Sequence, residues 1–173
     1  MSRSVHAGRL AIAAGVYRIA WGIWFGGGLA LGAIAAPAVF ARAREWAATA
    51  GLDSTEVARH LAGYAVGEAF GRFNWVGLAC GVVMLLAVAH EFYHDRGARL
   101  TRGLQLLLTV LPFALGLYLT LALFPRMLAL RAAGAWGEFD RLHRDYVGWS
   151  QLQLLMLLGA GVFACFRRVS PRS

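Results

Sequence analysis

Lysine is absent from this 173-residue sequence, cysteine occurs only twice, and charged residues of both signs make up 15% of it. Soluble domains carry charge on about a quarter of their residues, so the scarcity excludes a soluble globule. Two cysteines cannot build a disulfide scaffold, and Cys80 and Cys165 both fall inside apolar runs, where small packing side chains are expected. All 17 basic residues are arginine, against 9 acidic ones. They stand in small groups at the ends of apolar runs, with no aromatic interleaving, which suits membrane interfaces and excludes a nucleic-acid-binding face. What the chain has in abundance is hydrophobic residues, at 59%, and 21 glycines. That hydrophobicity excludes disorder.

Crossing a hydrocarbon core of about 30 Å takes about 20 apolar residues as helix. Four charge-poor runs meet that length, at about 19–41, 73–90, 103–124 and 148–166. Strands would leave unpaired edges in lipid, so the expected fold is all-α: a single domain over 1–173, a four-transmembrane-helix bundle. The run holding Ala33, Ile34 and Ala35 is too long for a signal peptide and is followed by Pro37, so a span is expected there. Asp53-Ser54-Thr55-Glu56 has the pattern of a helix-capping box, and Val57, Leu61, Tyr64 and Ala65 follow with helical spacing. The second helix is therefore expected to start near Ser54 and run for roughly 40 residues, or ~60 Å. Phe139, Leu142 and Tyr146 place the start of the fourth outside the bilayer in the same way. An 18-residue N-terminal tail, a connection over 91–102 and a C-terminal tail fall on one side, and two longer connections, 42–72 and 125–147, on the other. The first side holds nine arginines and two acidic residues, the second eight and seven. That bias places both termini in the cytoplasm and the extended helix ends on the opposite side.

Glycines four residues apart line one helix face and let another helix approach closely. Gly22 with Gly26, Gly28 with Gly32, Gly63 with Gly67 and Gly71, and Gly77 with Gly81 are so spaced, and helix packing is their expected role. His90-Glu91-Phe92-Tyr93-His94 matches H-E-x-x-H, the pattern of zinc metalloproteases. It lies at the end of a span beside Arg96 and Arg99, with Asp95 the one nearby candidate for a third ligand, so no metal site is assigned. Glu68, Arg72, Asn74, Arg126, Asp140, Arg141 and His143 lie near the helix ends of the opposite side, where antiparallel packing would bring them together as a pH-sensitive polar site or a structural ion-pair network. His60, His90 and His143 all stand away from the span centres, so no cofactor is expected and bis-histidine haem within this chain is disfavoured; a lipid or pigment, or a haem shared with a partner, stays open.

Residues 24–40, WFGGGLALGAIAAPAVF, together with 67–74, GEAFGRFN, and 139–143, FDRLH, resemble the small integral membrane family named after transmembrane protein 205, a domain of unknown function. The resemblance implies four bundled helices in the bacterial inner membrane and no established activity. It marks Pro37, Phe40, Asn74, Asp140 and His143 as motif positions. The first helix also resembles copper-resistance D-like haem-binding bundles, although Val16, Tyr17 and Arg18 stand where that family supplies a histidine. The leading functional expectation is a non-enzymatic accessory subunit that packs against a larger membrane complex, or against itself, through glycine faces in the lipid bilayer. A transporter or small-molecule binder using the polar set is the second reading, and a zinc protease at His90 and His94 the third.

Overall fold

A computed structural model describes residues 3–94 and 99–166. Four helices fill them, with no strand among the described residues. Helix α1 joins Arg3–Leu29, a π-helical turn at Ala30–Ala35, and Ala36–Thr49; α2 joins Ser54–Val57, a π-helical turn at Ala58–Ala62, and Gly63–His94. Helix α3 joins Arg99–Tyr118, a π-helical turn at Leu119–Leu123, and Phe124–Ala132, and α4 is Trp136–Phe166. Each is long and apolar enough to cross a membrane. The stretches concerned run from 31 to 42 residues, well beyond the roughly 20 that a bilayer needs.

Two expectations about connections are corrected. Residues 3–18 are the first turns of α1, not a tail: Arg9 and Arg18 interrupt the hydropathy, yet Leu10, Ala14 and Tyr17 recur with helical spacing and are buried against the bundle. Arg18 donates from Nη2 to the Ala164 carbonyl at 3.3 Å, serving one of the last four carbonyls of α4, which have no partner within their own helix. Of the expected connection over 91–102, both ends are helical, and Glu91 and Arg102 lie inside the bundle. Arg96, Asp95, Arg167, Arg168 and Arg172, which entered the charge count, lie outside the described residues.

The two turns at the other end are tight, and glycine makes them possible. Gly51 and Gly134 have φ of 68° and 67°, a left-handed conformation that costs other residues a Cβ clash. Each ends its helix in the same way, with Leu52 N–H donating to Ala47 O at 2.9 Å and Ala135 N–H to Leu130 O at 3.0 Å, the six-to-one bond of a Schellman cap. Asp53 then starts α2 as expected, its Oδ1 accepting from the N–H groups of Thr55 and Glu56 at 2.8 and 3.2 Å.

Pro37 and Pro125 each follow a π-helical turn. Proline has no N–H to donate and its ring collides with the carbonyl four residues back, so a regular helix cannot pass it undisturbed. Here the ladder shifts to the wider spacing just ahead, with Ala36 N–H bonded to Leu31 O and Phe124 N–H to Leu119 O.

In the bundle α1 packs mainly on α2, α2 on α3, and α3 on α4, with α4 closing the ring against α1 more lightly. Glycines do hold these contacts, but through aromatic rings more than through facing backbones. The indole of Trp24 lies against Gly77 and Gly81 of α2 and Gly116 of α3, while Trp21 covers Gly161 and donates from Nε1 to Leu157 O at 2.6 Å. Phe73 covers Gly27, and Phe113 and Phe124 lie against Gly81 and Gly71. Among the other expected packing positions, a Cβ at Gly28 would meet Leu154 at 3.1 Å, and Gly32 and Gly67 have only loose neighbours at 4.0 and 3.7 Å. Gly63 is half-buried at the start of its helical segment. A Cβ added at Gly22 or Gly26 would meet no neighbouring helix within 4 Å among the described residues.

Two alanine substitutions test this division. Gly77→Ala forces a methyl into the Trp24 indole and is expected to lower stability in detergent by about 1–3 kcal/mol, the usual cost of overpacking. Gly26→Ala removes only a poor helix former and is expected to leave stability unchanged or raise it by up to about 1 kcal/mol. Unfolding curves in mild detergent read both, and equal effects would contradict the assignment.

Candidate functional site

The polar groups buried deepest in the bundle lie near the end where α2 leaves it and α3 returns. Arg102 Nη1 is 2.9 Å from Glu91 Oε2, with the two side chains 2% and 1% exposed. One helical turn along α3 comes Gln105, fully buried, and a further turn on comes Thr109. Thr109 Oγ1 donates to the Gln105 carbonyl at 2.8 Å. Its single proton is thereby used, so in the 3.1 Å contact with Tyr17 the Thr109 oxygen accepts and the phenol of α1 donates. Farther along the same face, Gln153 of α4 donates from Nε2 to the Pro112 carbonyl at 2.9 Å, an approach that depends on Gly116 having no side chain there. Arg102, Gln105 and Thr109 thus form a polar stripe on α3 that reaches every other helix of the bundle either directly or one turn on.

This arrangement changes the meaning of the H-E-x-x-H match. His90 and His94 do lie side by side, their ring centroids 4.5 Å apart, but Glu91 turns inward to the Arg102 guanidinium instead of toward any water that a metal would hold. Among the described residues no group of three or more His, Cys, Asp or Glu is placed to hold a metal ion.

At the opposite end the expected polar set divides into local contacts. Asn74 joins α2 to α4 through Tyr146, whose hydroxyl is 3.0 Å from Nδ2 and 3.2 Å from Oδ1, and Ser150 donates to the Tyr146 carbonyl at 2.8 Å. Glu68 and Arg72 pair with each other on the exposed face of α2 at 2.9 Å, a surface contact of the kind that contributes little. Asp140 is half-buried one turn before His143, whose ring stacks on Phe139 at 5.7 Å. Arg126 and Arg141 are exposed, as is Pro37, while Phe40 is half-buried. A contact set absent from the expectation ties the helix ends together: Arg131 donates to His60 O at 3.1 Å and lies over the Tyr64 ring, and His60 meets Trp136 edge-on at 5.2 Å.

The sequence did carry a signal for the Arg102 stripe. Arg102, Gln105 and Thr109 are spaced three and four apart in an otherwise apolar run, one helix face by position. Removing one partner of a buried ion pair leaves the other charged in a low-dielectric interior, at a cost of roughly 3–5 kcal/mol, whereas replacing both by apolar groups is often neutral. Glu91→Leu and Arg102→Leu are each expected to destabilise strongly, and the double variant to recover most of the loss. Additive losses in detergent unfolding would show that the pair does not act as a unit.

The sequence matches the family model described as a domain of unknown function, DUF4149, over residues 19–135. The matched segment takes in α1 from residue 19, all of α2 and all of α3; it names a domain of unknown function and does not specifically support the transmembrane protein 205-like resemblance. No curated protein and no solved structure matches. With about two-thirds of its length inside that match, the chain belongs to the DUF4149 family of domains of unknown function.

Proposed function

We propose that the protein is a non-catalytic membrane subunit whose work is assembly, and that it joins a larger membrane complex through the outer face of α1. The observation that carries this reading is a glycine stripe with no close neighbour among the described residues. Gly8, Gly15, Gly22 and Gly26 have nothing within 4 Å of where a Cβ would sit. At 100° per residue they share one face with the exposed Ile12 and Ile19, opposite the face that buries Leu10, Tyr17 and Trp24. Lipid tails are as apolar as leucine, so helices associate in a bilayer by close packing, and small residues flanked by β-branched ones permit it. The inward commitment of Glu91 to Arg102 argues against hydrolytic chemistry at the histidines, and the local contacts of Glu68, Asn74 and His143 argue against a single transport mouth. The arginine bias supports placing both termini in the cytoplasm.

Native mass measurement on protein drawn from its own membranes in mild detergent tests the proposal. The expected result is a species well above 18.7 kDa that contains another chain. Gly22→Leu is expected to release the protein from it, while Gly159→Leu, at an equally open glycine of α4, leaves it in place. A lone 18.7 kDa species overturns the assembly role, and a pure multiple of that mass replaces the accessory subunit with self-association.

A further inference from the structure

Three large aromatic side chains stand out from the bundle at one height. Trp75 on α2, Tyr118 on α3 and Trp149 on α4 are 61%, 48% and 45% exposed. The Asn74–Tyr146 bond sets Trp75 and Trp149 within about a turn of each other. Phe124 packs beside Tyr146 and Gln153 bonds to the Pro112 carbonyl, contacts on either side of Tyr118 that bring it level with Trp149. At the other end Tyr93, Leu100 and Phe166 are exposed in the same way, and the Glu91–Arg102 pair holds the first two level. From Trp75 to Tyr93, from Leu100 to Tyr118 and from Trp149 to Phe166 the helix axis rises roughly 26–27 Å, close to the ~30 Å of a hydrocarbon core. Among the described residues, the surface between the two levels carries one charged side chain away from its edges, Arg18, whose guanidinium is drawn along the bundle to the Ala164 carbonyl near the end of α4. Beyond the aromatic level charge returns within about two turns, with Glu68 and Arg72 exposed on α2 and Arg144 and Asp145 on α4.

We infer that Trp75, Tyr118 and Trp149 are seated in the headgroup interface of a lipid bilayer, and that the bilayer therefore crosses α1 at about residues 8–26 and not along its long apolar run, 19–41. Indole and phenol rings favour that zone because an apolar body and a polar N–H or O–H meet acyl chains and water at once. The height of α1 is fixed twice. Phe73 covers Gly27 and Trp24 lies against Gly77, which brings the stretch between them on α1 level with Trp75. Tyr17 bonds to Thr109, midway between Leu100 and Tyr118, so the middle of the bilayer passes near Tyr17. The run 19–41 is centred near Ala30, roughly 20 Å farther along the axis. Seating α1 on that run would draw Glu68, Arg72, Arg144 and Asp145 into hydrocarbon, where charge is costly. Seating the bundle on the aromatic ring instead leaves Leu29, Ile34 and Val39 as the large apolar side chains exposed to water in a stretch otherwise rich in alanine and glycine. This placement is independent of whether a partner covers the glycine stripe.

Single cysteine substitutions, alkylated with a charged, water-soluble maleimide, test the placement on single full-length chains in lipid nanodiscs. Both bilayer faces are open to the reagent there, and no partner shields the chain. Alkylation needs the thiolate, which apolar surroundings suppress. Cys165→Ser removes the exposed native thiol and leaves Cys80, which is buried. Ile12 and Ile34 are equally exposed in the bundle, at 69%, so only the position of the lipid separates them. Ile34→Cys is expected to react at least tenfold faster than Ile12→Cys, and than Val16→Cys, which lies off the glycine face. Leu121→Cys and Val147→Cys, just beyond the ring, are expected to react at least tenfold faster than Leu111→Cys and Leu155→Cys on its other side, with the helical circular dichroism of every variant unchanged. A protected Ile34→Cys with a reactive Ile12→Cys would put the bilayer on the apolar run and overturn the inference. Equal rates at those two positions, or a step in rate on α3 or α4 away from the ring, would overturn it as well.

Discussion

Two indole rings on α1 set how closely the four helices approach one another. In lipid no hydrophobic force draws one apolar helix to another, so contact area and backbone proximity must do that work. Trp24 gains both by lying against glycines of α2 and α3 at once, and Trp21 does so by covering Gly161 and bonding to a backbone carbonyl of α4. Every helix is thus held to α1 by a ring placed where its neighbour has no side chain. A flat aromatic side chain makes many dispersion contacts, and glycine opposite it leaves no void to lower them.

Polar groups add what such packing lacks, a fixed register. Aromatic rings over glycine tolerate small slides along the helix axis, but the Glu91–Arg102 pair and the Tyr17–Thr109 bond do not. Asn74 with Tyr146 serves the same purpose at the other end. A buried ion pair brings little net stability because desolvation offsets its attraction. Its value here lies in the cost of every misaligned arrangement, which would leave a charge unmatched in the core.

The spans were legible because charge-free runs of that length have few other uses, and the start of α2 was legible because Asp53 is a strong capping residue in a clear context. The early turns of α1 were not, since Arg9 and Arg18 mask a buried face made of only Leu10, Ala14 and Tyr17. Glycine pairs drew attention to Gly77 and Gly81, but Gly27, Gly116 and Gly161 are single seats, and spacing rules find pairs. The Glu91–Arg102 pair joins residues on either side of a helical hairpin. Its proximity follows only from where α2 ends and α3 begins, and Glu91 alone looked like part of a zinc motif. Within the outer polar set, Glu68 and Arg72 pair on the exposed face of α2, whereas Asn74 lies on another face of that helix and bonds across to Tyr146.

The π-helical turn at Ala30–Ala35 has a consequence for the outward glycine stripe. Such a turn admits one extra residue, so everything after it is out of phase by about 100° with the helix before. A stripe that begins at Gly8 therefore cannot continue past Leu29 on the same side of α1. From Gly8 to Gly26 it measures about 27 Å along the axis, close to the ~30 Å thickness of a hydrocarbon core. A helix docked along it would part from α1 where the phase slips, leaving Ala36–Thr49 free of it.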